Sequence, residues 1–371
     1  MSIVFVLSHP PNPRENKRIN LLKVRYKTSL VYWNRETVDL WELGHSDIES
    51  KEISIKANYS NPLKRIIPTC KYAIEAIKYL RKAKPKCIYC ENFDMLAICV
   101  MYSFFKKQRP KIIYEIADLN KLIIDEQNNL IKKLSKKIIV STEKGLCHYV
   151  NLLVLTSEKF YDIYFGNFFP KEKILIIPNM PALNPFTNYR PKTSGVFTVG
   201  FIGVVRYKEQ MMMLISAAQT CKVNVLFAGG GLDDEIETIC KDIPNIEYYG
   251  KYVYDTEIAS LYAKCDCIYS VYNADLNNVK VALPNRLYEA IYCGLPIIVA
   301  KGTFLAELVE DMGVGVAVSH VDHVDLISAL DKLSQDKEYY QSMVRNCNKA
   351  KSDINTNSYH ERLLNRIRQW M

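Results

Sequence analysis

Arg286 and Glu289 stand three residues apart in "PNRLYEAIYCGLP", residues 284–296, a spacing that puts a guanidinium and a carboxylate on one helical face. A guanidinium there suits a phosphate, and a carboxylate suits a pair of hydroxyls. The competing reading is an exposed ion pair worth about 0.2–0.5 kcal/mol. The neighbours define the element. Pro284 fits a first helical position, Gly294 fits the left-handed residue after a helix, and Pro296 prevents continuation. On that helix Leu287, Ala290, Ile291 and Gly294 share one face, while Arg286, Glu289 and Cys293 share another. The apolar run Ile297–Ala300 that follows has the length of a buried strand.

A second cluster lies in "FTVGFIGVVRYKEQ", where Gly200 and Gly203 allow close backbone approach at a strand end and Arg206 and Lys208 precede the next helix. Amide groups, a helix start and two cations together suit a diphosphate; a structural turn with two solvated bases is the plain alternative. "FAGGG", with Gly229, ends the next strand in a similar turn, or is simply a flexible loop. Asp233 and Asp234 complement a helix dipole. No G-x-x-x-x-G-K-[ST], no G-x-G-x-x-G after the first strand of either half and no strand-borne D-x-D occurs. P-loop NTPases, ordinary NAD enzymes and single-domain metal-dependent transferases are thereby disfavoured, and no metal site is expected.

In the first half, "KIIYEIADL" closes a strand with Asp118, placed either to take a proton or to cap a helix. Glu115 is the runner-up, although its alternation could hold it within the sheet. His9, in "LSHPPNP" after the first strand, could touch an acceptor or serve only as a turn residue. His320-x-x-His323 reads as loop surface.

These residues need elements to hold them. The 371 residues are 49% apolar and 24% charged, the balance of a soluble chain long enough for two domains. β-Branched runs alternate with helical segments from end to end, so the fold class is α/β with parallel sheets covered on both faces. Strands are expected at 3–7, 29–33, 87–89, 111–116, 152–155 and 173–177, with a helix over 68–83. They restart at 197–202, 223–228, 246–249, 267–271 and 297–300. The proline-rich "PNMPALNPFTNYRPKTSG" separates the halves as a hinge. This gives domains over 1–185 and 186–355, with a C-terminal helix over 356–371 that crosses back to the first. Two doubly wound domains in succession can face their ligand crevices across a cleft.

The net charge of +9 is one-sided: residues 1–185 carry 30 Lys and Arg against 18 Asp and Glu, and residues 186–371 carry 19 against 22. Basic residues interleave with apolar ones in "NPLKRIIPTCKYAIEAIKYLRKAKPK" and "YSFFKKQRPK" with no nucleic-acid-reading motif, which fits an anionic membrane surface better than a base-reading one. Solubility alone is the competing account. Eleven scattered cysteines form no framework and read as reduced thiols, Cys87 and Cys90 included. No apolar run approaches the ~18 residues of a membrane span, and the first residues enter a strand without a basic leader. A cytoplasmic protein, peripheral at the inner face of the membrane, is expected.

The succession "VGFIGVVRYKE", "VLFAGGG", "NIEYYGKYVYDTEIASLYAKCDCIYSVY" and "PNRLYEAIYCGLPIIVA" resembles the donor domain of GT-B glycosyltransferases of the bacterial cell-surface polysaccharide type, over roughly residues 196–320. The resemblance implies that Glu289 holds the nucleotide ribose, that Arg286 approaches the diphosphate and that Tyr252, after Gly250 and Lys251, lines the base. Gly203, Arg206, Lys208, Gly229 and Asn285 complete the implied donor site. Many retaining relatives carry a second acid eight residues before the glutamate; here that place is Val281. Asp118 corresponds to an aspartate in some inverting relatives. The expected activity is metal-independent transfer of a sugar, most simply from a UDP-sugar, to a lipid-linked or oligosaccharide acceptor in surface polysaccharide synthesis. A sugar-nucleotide epimerase of the same two-domain shape and a non-catalytic nucleotide-sugar-binding module are the rivals.

Overall fold

The computed structural model describes residues 2–35, 47–57, 62–125, 129–231, 233–354 and 356–370. Two compact units emerge: unit 1 comprises Met1–Pro178 together with Asn357–Met371, and unit 2 comprises Asn179–Thr356.

Unit 1 runs β1 (Ser2–Leu7), α1 (Pro13–Lys23), β2 (Lys27–Asn34), β3 (Glu49–Ser54), α2 (Pro62–Ala83), β4 (Cys87–Glu91), α3 (Phe93–Phe104), β5 (Lys111–Ile116), α4 (Lys121–Ile124), α5 (Leu130–Cys147), β6 (Leu152–Leu155), α6 (Lys159–Ile163) and β7 (Ile174–Ile176). Unit 2 follows with β8 (Thr198–Ile202), α7 (Lys208–Cys221), β9 (Asn224–Ala228), α8 (Asp234–Asp242), β10 (Ile246–Gly250), α9 (Tyr254–Ala263), β11 (Cys267–Ser270), α10 (Asn277–Val281), α11 (Asn285–Cys293), β12 (Ile297–Ala300), α12 (Phe304–Met312), β13 (Gly315–Val318), α13 (His323–Gln335) and α14 (Lys337–Ala350). The chain ends in α15 (Thr356–Arg368).

The first sheet has the order β3-β2-β1-β4-β5-β6-β7 and the second β10-β9-β8-β11-β12-β13. Every described pairing is parallel. Both are doubly wound sheets whose order reverses beside the first strand of the unit, between β1 and β4 and between β8 and β11. Side chains diverge there and a crevice opens at the carboxyl ends of the strands.

Two strands have no counterpart in the expected set. In β3, "ESKEIS", only Ile53 is buried. It is an edge strand paired to β2 through its backbone, with Glu52 accepting bonds from the Tyr32 hydroxyl at 2.8 Å and the Asn34 amide at 2.9 Å. β13 opens on Gly315, where a Cβ would stand 1.9 Å from the Ile297 carbonyl oxygen, so the close pairing needs a residue that weakens the strand pattern. α2 begins at Pro62 rather than at 68 and carries Pro68 within it.

The proline-rich connector packs onto unit 2. Met180 and Phe186 are buried, and the Phe186 ring stands edge-on to Tyr262 at 5.3 Å, which puts the change of unit at Pro178 rather than at residue 185. α15 packs on unit 1: Leu363, Leu364 and Ile367 are fully buried in one cluster with Ile3, Phe5, Ile19 and Leu22. Each such aliphatic side chain contributes roughly 1.5–3 kcal/mol of transfer free energy. All eleven cysteines are free, and only Cys70 and Cys221 are not buried. Burial pushes the thiols of Cys87 and Cys90 up, away from thiolate chemistry. No helix among the described residues is long and apolar enough to cross a membrane.

Candidate functional site

The crevice of unit 2 is made by glycines. Gly203, directly after β8, has φ +127° and a Cβ there would stand 2.7 Å from Nη2 of Arg286. Gly229, directly after β9, has φ +131°, and its Cβ would fall 2.0 Å from the Gly203 carbonyl oxygen. The two turns are laced together, with the amide of Gly203 donating to Ala228 at 2.8 Å and the amide of Val205 to Gly230 at 2.9 Å. Only residues without a side chain permit this approach.

Helix α11 points its polar residues inward. Gly294 takes the expected left-handed place after the helix at φ 71°, whereas Pro284 stands one residue before the expected first helical position, as the N-cap with extended backbone, and Asn285 opens the helix. Arg286 is 6% exposed and Glu289 4%, which excludes the surface ion pair. The Arg286 guanidinium stacks on the Phe201 ring at 3.7 Å, donates from Nη1 to the Tyr272 hydroxyl at 2.6 Å and from Nε to the Ile202 carbonyl, and leaves Nη2 facing Gly203. Glu289 accepts the hydroxyls of Tyr254 at 2.8 Å and Tyr262 at 2.6 Å. Tyr252 is half-buried beside this pair; burial first and then the Glu289 charge push its phenol up to about 12, so it stays a neutral hydroxyl.

The remaining donor-side candidates lie in more open positions. Arg206 and Asn285 are exposed. The ammonium of Lys208 is exposed too, and it is held by Asp233 at 3.0 Å and Glu235 at 2.5 Å on the start of α8. Val281 is buried in α10.

The crevice of unit 1 is filled by charge. His9 follows β1 and donates through Nε2 toward Glu91, the last residue of β4, at 2.8 Å. Its Nδ1 lies 2.8 Å from the Pro10 carbonyl. Arg14 bonds to Glu91 and, at 3.0 Å, to Glu15; Arg18 reaches Glu115 at 3.3 Å, whose other oxygen takes the Tyr89 hydroxyl. Glu15 also closes a capping box on Asn12, which anchors α1 beneath the cluster. Three carboxylates thus face two guanidiniums in a buried space, and a proton must supply the remaining positive charge. Burial and the neighbouring Glu91 push Glu15 up, whereas His9 and Arg14 outweigh the burial of Glu91 and hold it low. Burial opposes the His9 imidazolium, yet its bond to Glu91 raises it above the ordinary histidine value. Ligand atoms of His9, Glu15 and Glu91 lie within 4.8 Å of one another, a spacing fit for a divalent ion, but the Arg14 guanidinium already sits on both carboxylates.

Asp118 lies after β5, not at a helix cap; that place belongs to Asn120, whose side chain accepts the Leu122 amide at 2.9 Å. Its carboxyl is pushed up by the protein around it, with Arg14 opposing. Glu115 is 1% exposed and committed to its arginine and tyrosine, so the sheet-interior reading holds for it. Sequence reasoning missed Arg14, Arg18 and Glu91, and the tyrosines that hold Arg286 and Glu289. The legible signal for Glu91 was a carboxylate closing an otherwise apolar strand, "CIYCE", at the crevice end.

Residues 188–350 match the family described as Glycosyl transferases group 1. The chain is 23% identical over 266 residues to the succinoglycan biosynthesis protein ExoL of Rhizobium meliloti (strain 1021), covering 68% of this chain and 64% of the relative, just under two thirds of its length. Among solved structures it resembles Alr3699/HepE of Anabaena in complex with UDP, with TM-score 0.73, 17% identity and complete coverage of both chains. It also resembles the UDP-GlcNAc 2-epimerase of Neisseria meningitidis bound to UDP-GlcNAc, with TM-score 0.64, 14% identity and complete coverage of both. At those identities the structures establish the fold. The chain therefore has the GT-B fold of two Rossmann-like units, and its residues 188–350 match the group 1 glycosyl transferases.

Proposed function

We propose that this chain moves a sugar from a nucleoside-diphosphate sugar, with uridine as the nucleoside, to a lipid-linked or oligosaccharide acceptor in surface polysaccharide synthesis. The observation that carries the reading is the burial of Arg286 and Glu289 behind the glycine turns of Gly203 and Gly229, inside the group 1 domain. Complexes of HepE with UDP and with UDP-glucose, and the similarity to the succinoglycan biosynthesis protein ExoL, support the donor and the pathway class.

In this reading Glu289 accepts two ribose hydroxyls while keeping its tyrosines, and Arg286 turns Nη2 to the diphosphate. The amides around Gly203 and Gly229 meet the phosphates at close range. Arg206 adds a mobile cation, and Lys208 joins it by exchanging two exposed carboxylates for phosphate, at little cost. Tyr252 packs on the base and Asn285 borders the pocket. On the acceptor side, Asp118 takes the proton from the attacking hydroxyl as its oxygen bonds the anomeric carbon and the bond to the β-phosphate breaks, releasing UDP. A carboxyl pushed up by its surroundings is a stronger base for that step. His9, held by Glu91, positions the acceptor. The enzyme works at the cytoplasmic face of an anionic membrane, where the basic unit 1 meets its acceptor.

The test is mass spectrometry of products from a panel of donors with a lipid extract, read alongside UDP release. A glycosylated lipid supports the reading; donor converted to an isomer of equal mass indicates the epimerase instead. Glu289→Ala should weaken UDP binding at least about tenfold by calorimetry, and unchanged affinity removes the site assignment. Asp118→Asn with full turnover removes the base.

A further inference from the structure

A cavity of about 330 Å³ opens at the amino ends of β8, β9 and β10, the opposite end of the second sheet from the glycine turns. Thr198, Asn224 and Glu247 line it along the sheet, beside Lys192, Asn245 and Lys264. Register pairs Thr198 with Asn224 and Leu226 with Glu247, so these four share one face, while Val199, Val225, Phe227 and Ile246 turn to the core on the other. A doubly wound parallel sheet is ordinarily apolar and covered on both faces. Here the cover is tight at Gly200, where a Cβ would collide with the Cys265 Sγ, and it leaves Asn224 facing the cavity. Thr198 has a structural partner, accepting from the Lys192 ammonium at 3.0 Å. The Asn224 carboxamide makes no hydrogen bond among the described residues, and Asn245 commits its Nδ2 to the Val223 carbonyl at 2.7 Å. Charge is balanced, with Lys192 on Asp266 at 2.6 Å and Lys264 on Glu247 at 2.7 Å.

We propose that this cavity binds a neutral sugar ring. An anion calls for an ammonium without a carboxylate beside it, and a cation for the converse; both lysines here are already matched. A hexose instead brings hydroxyls that donate and accept. These meet the Asn224 carboxamide, the Asn245 Oδ1 and the second oxygen of Glu247. Its apolar C–H face meets Leu226 and Pro244. The volume lies at the small end of the roughly 300–1,000 Å³ of ligand clefts, which suits about one ring. A free monosaccharide and one unit of a polysaccharide offer this same chemistry. The cavity shares no residue with the proposed donor site, so the two can be tested apart.

Saturation-transfer NMR of the full chain with methyl β-glucoside, cellotetraose and glucuronate tests it. The wild type should bind both neutral sugars and prefer them to glucuronate. Tighter binding of cellotetraose makes a polysaccharide unit the natural occupant, and equal binding a free sugar. Asn224→Leu should weaken the neutral sugars about tenfold with no fall in thermal midpoint, because the carboxamide it removes holds nothing. Glu247→Gln leaves Lys264 without its carboxylate and should turn the preference toward glucuronate. A wild type that binds none of the three, or glucuronate best, overturns the proposal. So do neutral-sugar affinities unchanged in Asn224→Leu, or a preference unchanged in Glu247→Gln. Sugar binding should persist in Glu289→Ala whatever that variant does to UDP affinity; its loss there would put the sugar in the donor crevice and overturn the proposal as well.

Discussion

The two units share one topology and use the same point of it in opposite ways. At the reversal between β1 and β4 the crevice is packed with His9, Arg14, Glu15, Glu91, Arg18 and Glu115. At the reversal between β8 and β11 it is emptied by Gly203 and Gly229 and backed by one stacked arginine. A doubly wound sheet supplies a crevice wherever its order reverses; the side chains just beyond the strands decide whether it holds a ligand's phosphates or the protein's own charges. The first arrangement stores structure in ion pairs that are costly to break singly, and the second stores room.

The largest expected effect comes from breaking the charged crevice. Arg18→Met leaves Glu115 buried with less compensation and should cost about 3–5 kcal/mol, a fall of roughly 10 °C in thermal midpoint. Adding Glu115→Leu should restore at least half of it; a single variant as stable as wild type would mean the network carries no weight. Next is the emptied crevice. Gly203→Ala places a Cβ at 2.7 Å from Arg286 on backbone of φ +127°, and UDP affinity should drop about a hundredfold by titration calorimetry.

A smaller effect concerns His360 of unit 1. Burial, together with Arg18 and Lys17, lowers His360 to about 4, so the unfolded chain, with a histidine near 6.5, binds the proton first. The stability His360 contributes is complete above about pH 6.5 and is lost as pH falls towards 4, by about 1–2 kcal/mol after allowing for water at the site. His360→Gln should flatten that slope in melts from pH 7 to pH 4.5. The smallest effect contrasts two glutamates, each bonded to two tyrosines. Glu143 takes Tyr114 and Tyr164 at 2.6 Å each, within unit 1. Glu143→Gln should cost about 1 kcal/mol and leave UDP affinity untouched, while Glu289→Gln should cost a similar amount and weaken UDP binding as well.

Much of this was readable beforehand where a residue type admits one conformation. Gly294 and Pro296 fixed the end of α11, and apolar runs such as "KIIYEI" marked central strands that have no polar face. What escaped was what depends on partners far away in the chain. β3 is held by backbone pairing and polar bonds with β2, so its own residues show no alternation. Arg14 and Arg18 sit at ordinary exposed-looking positions of a helix, and only the 77-residue and 97-residue separations to Glu91 and Glu115 turn them inward. Arg286 and Glu289 were legible as a pair, but their tyrosine partners were not, since Tyr254, Tyr262 and Tyr272 belong to two other segments.

The return of α15 to unit 1 makes that unit discontinuous: unit 2 is an insertion between Pro178 and Asn357. A ribosome delivers the seven strands of unit 1 first, yet the apolar surface around Ile19 and Leu22 has no cover until Leu363, Leu364 and Ile367 emerge. The whole of unit 2 can fold in that interval, because its residues are contiguous. Completion of the first unit therefore waits for α15, and a nascent chain stopped short of it would carry a finished second unit and a first one with an open, adhesive face.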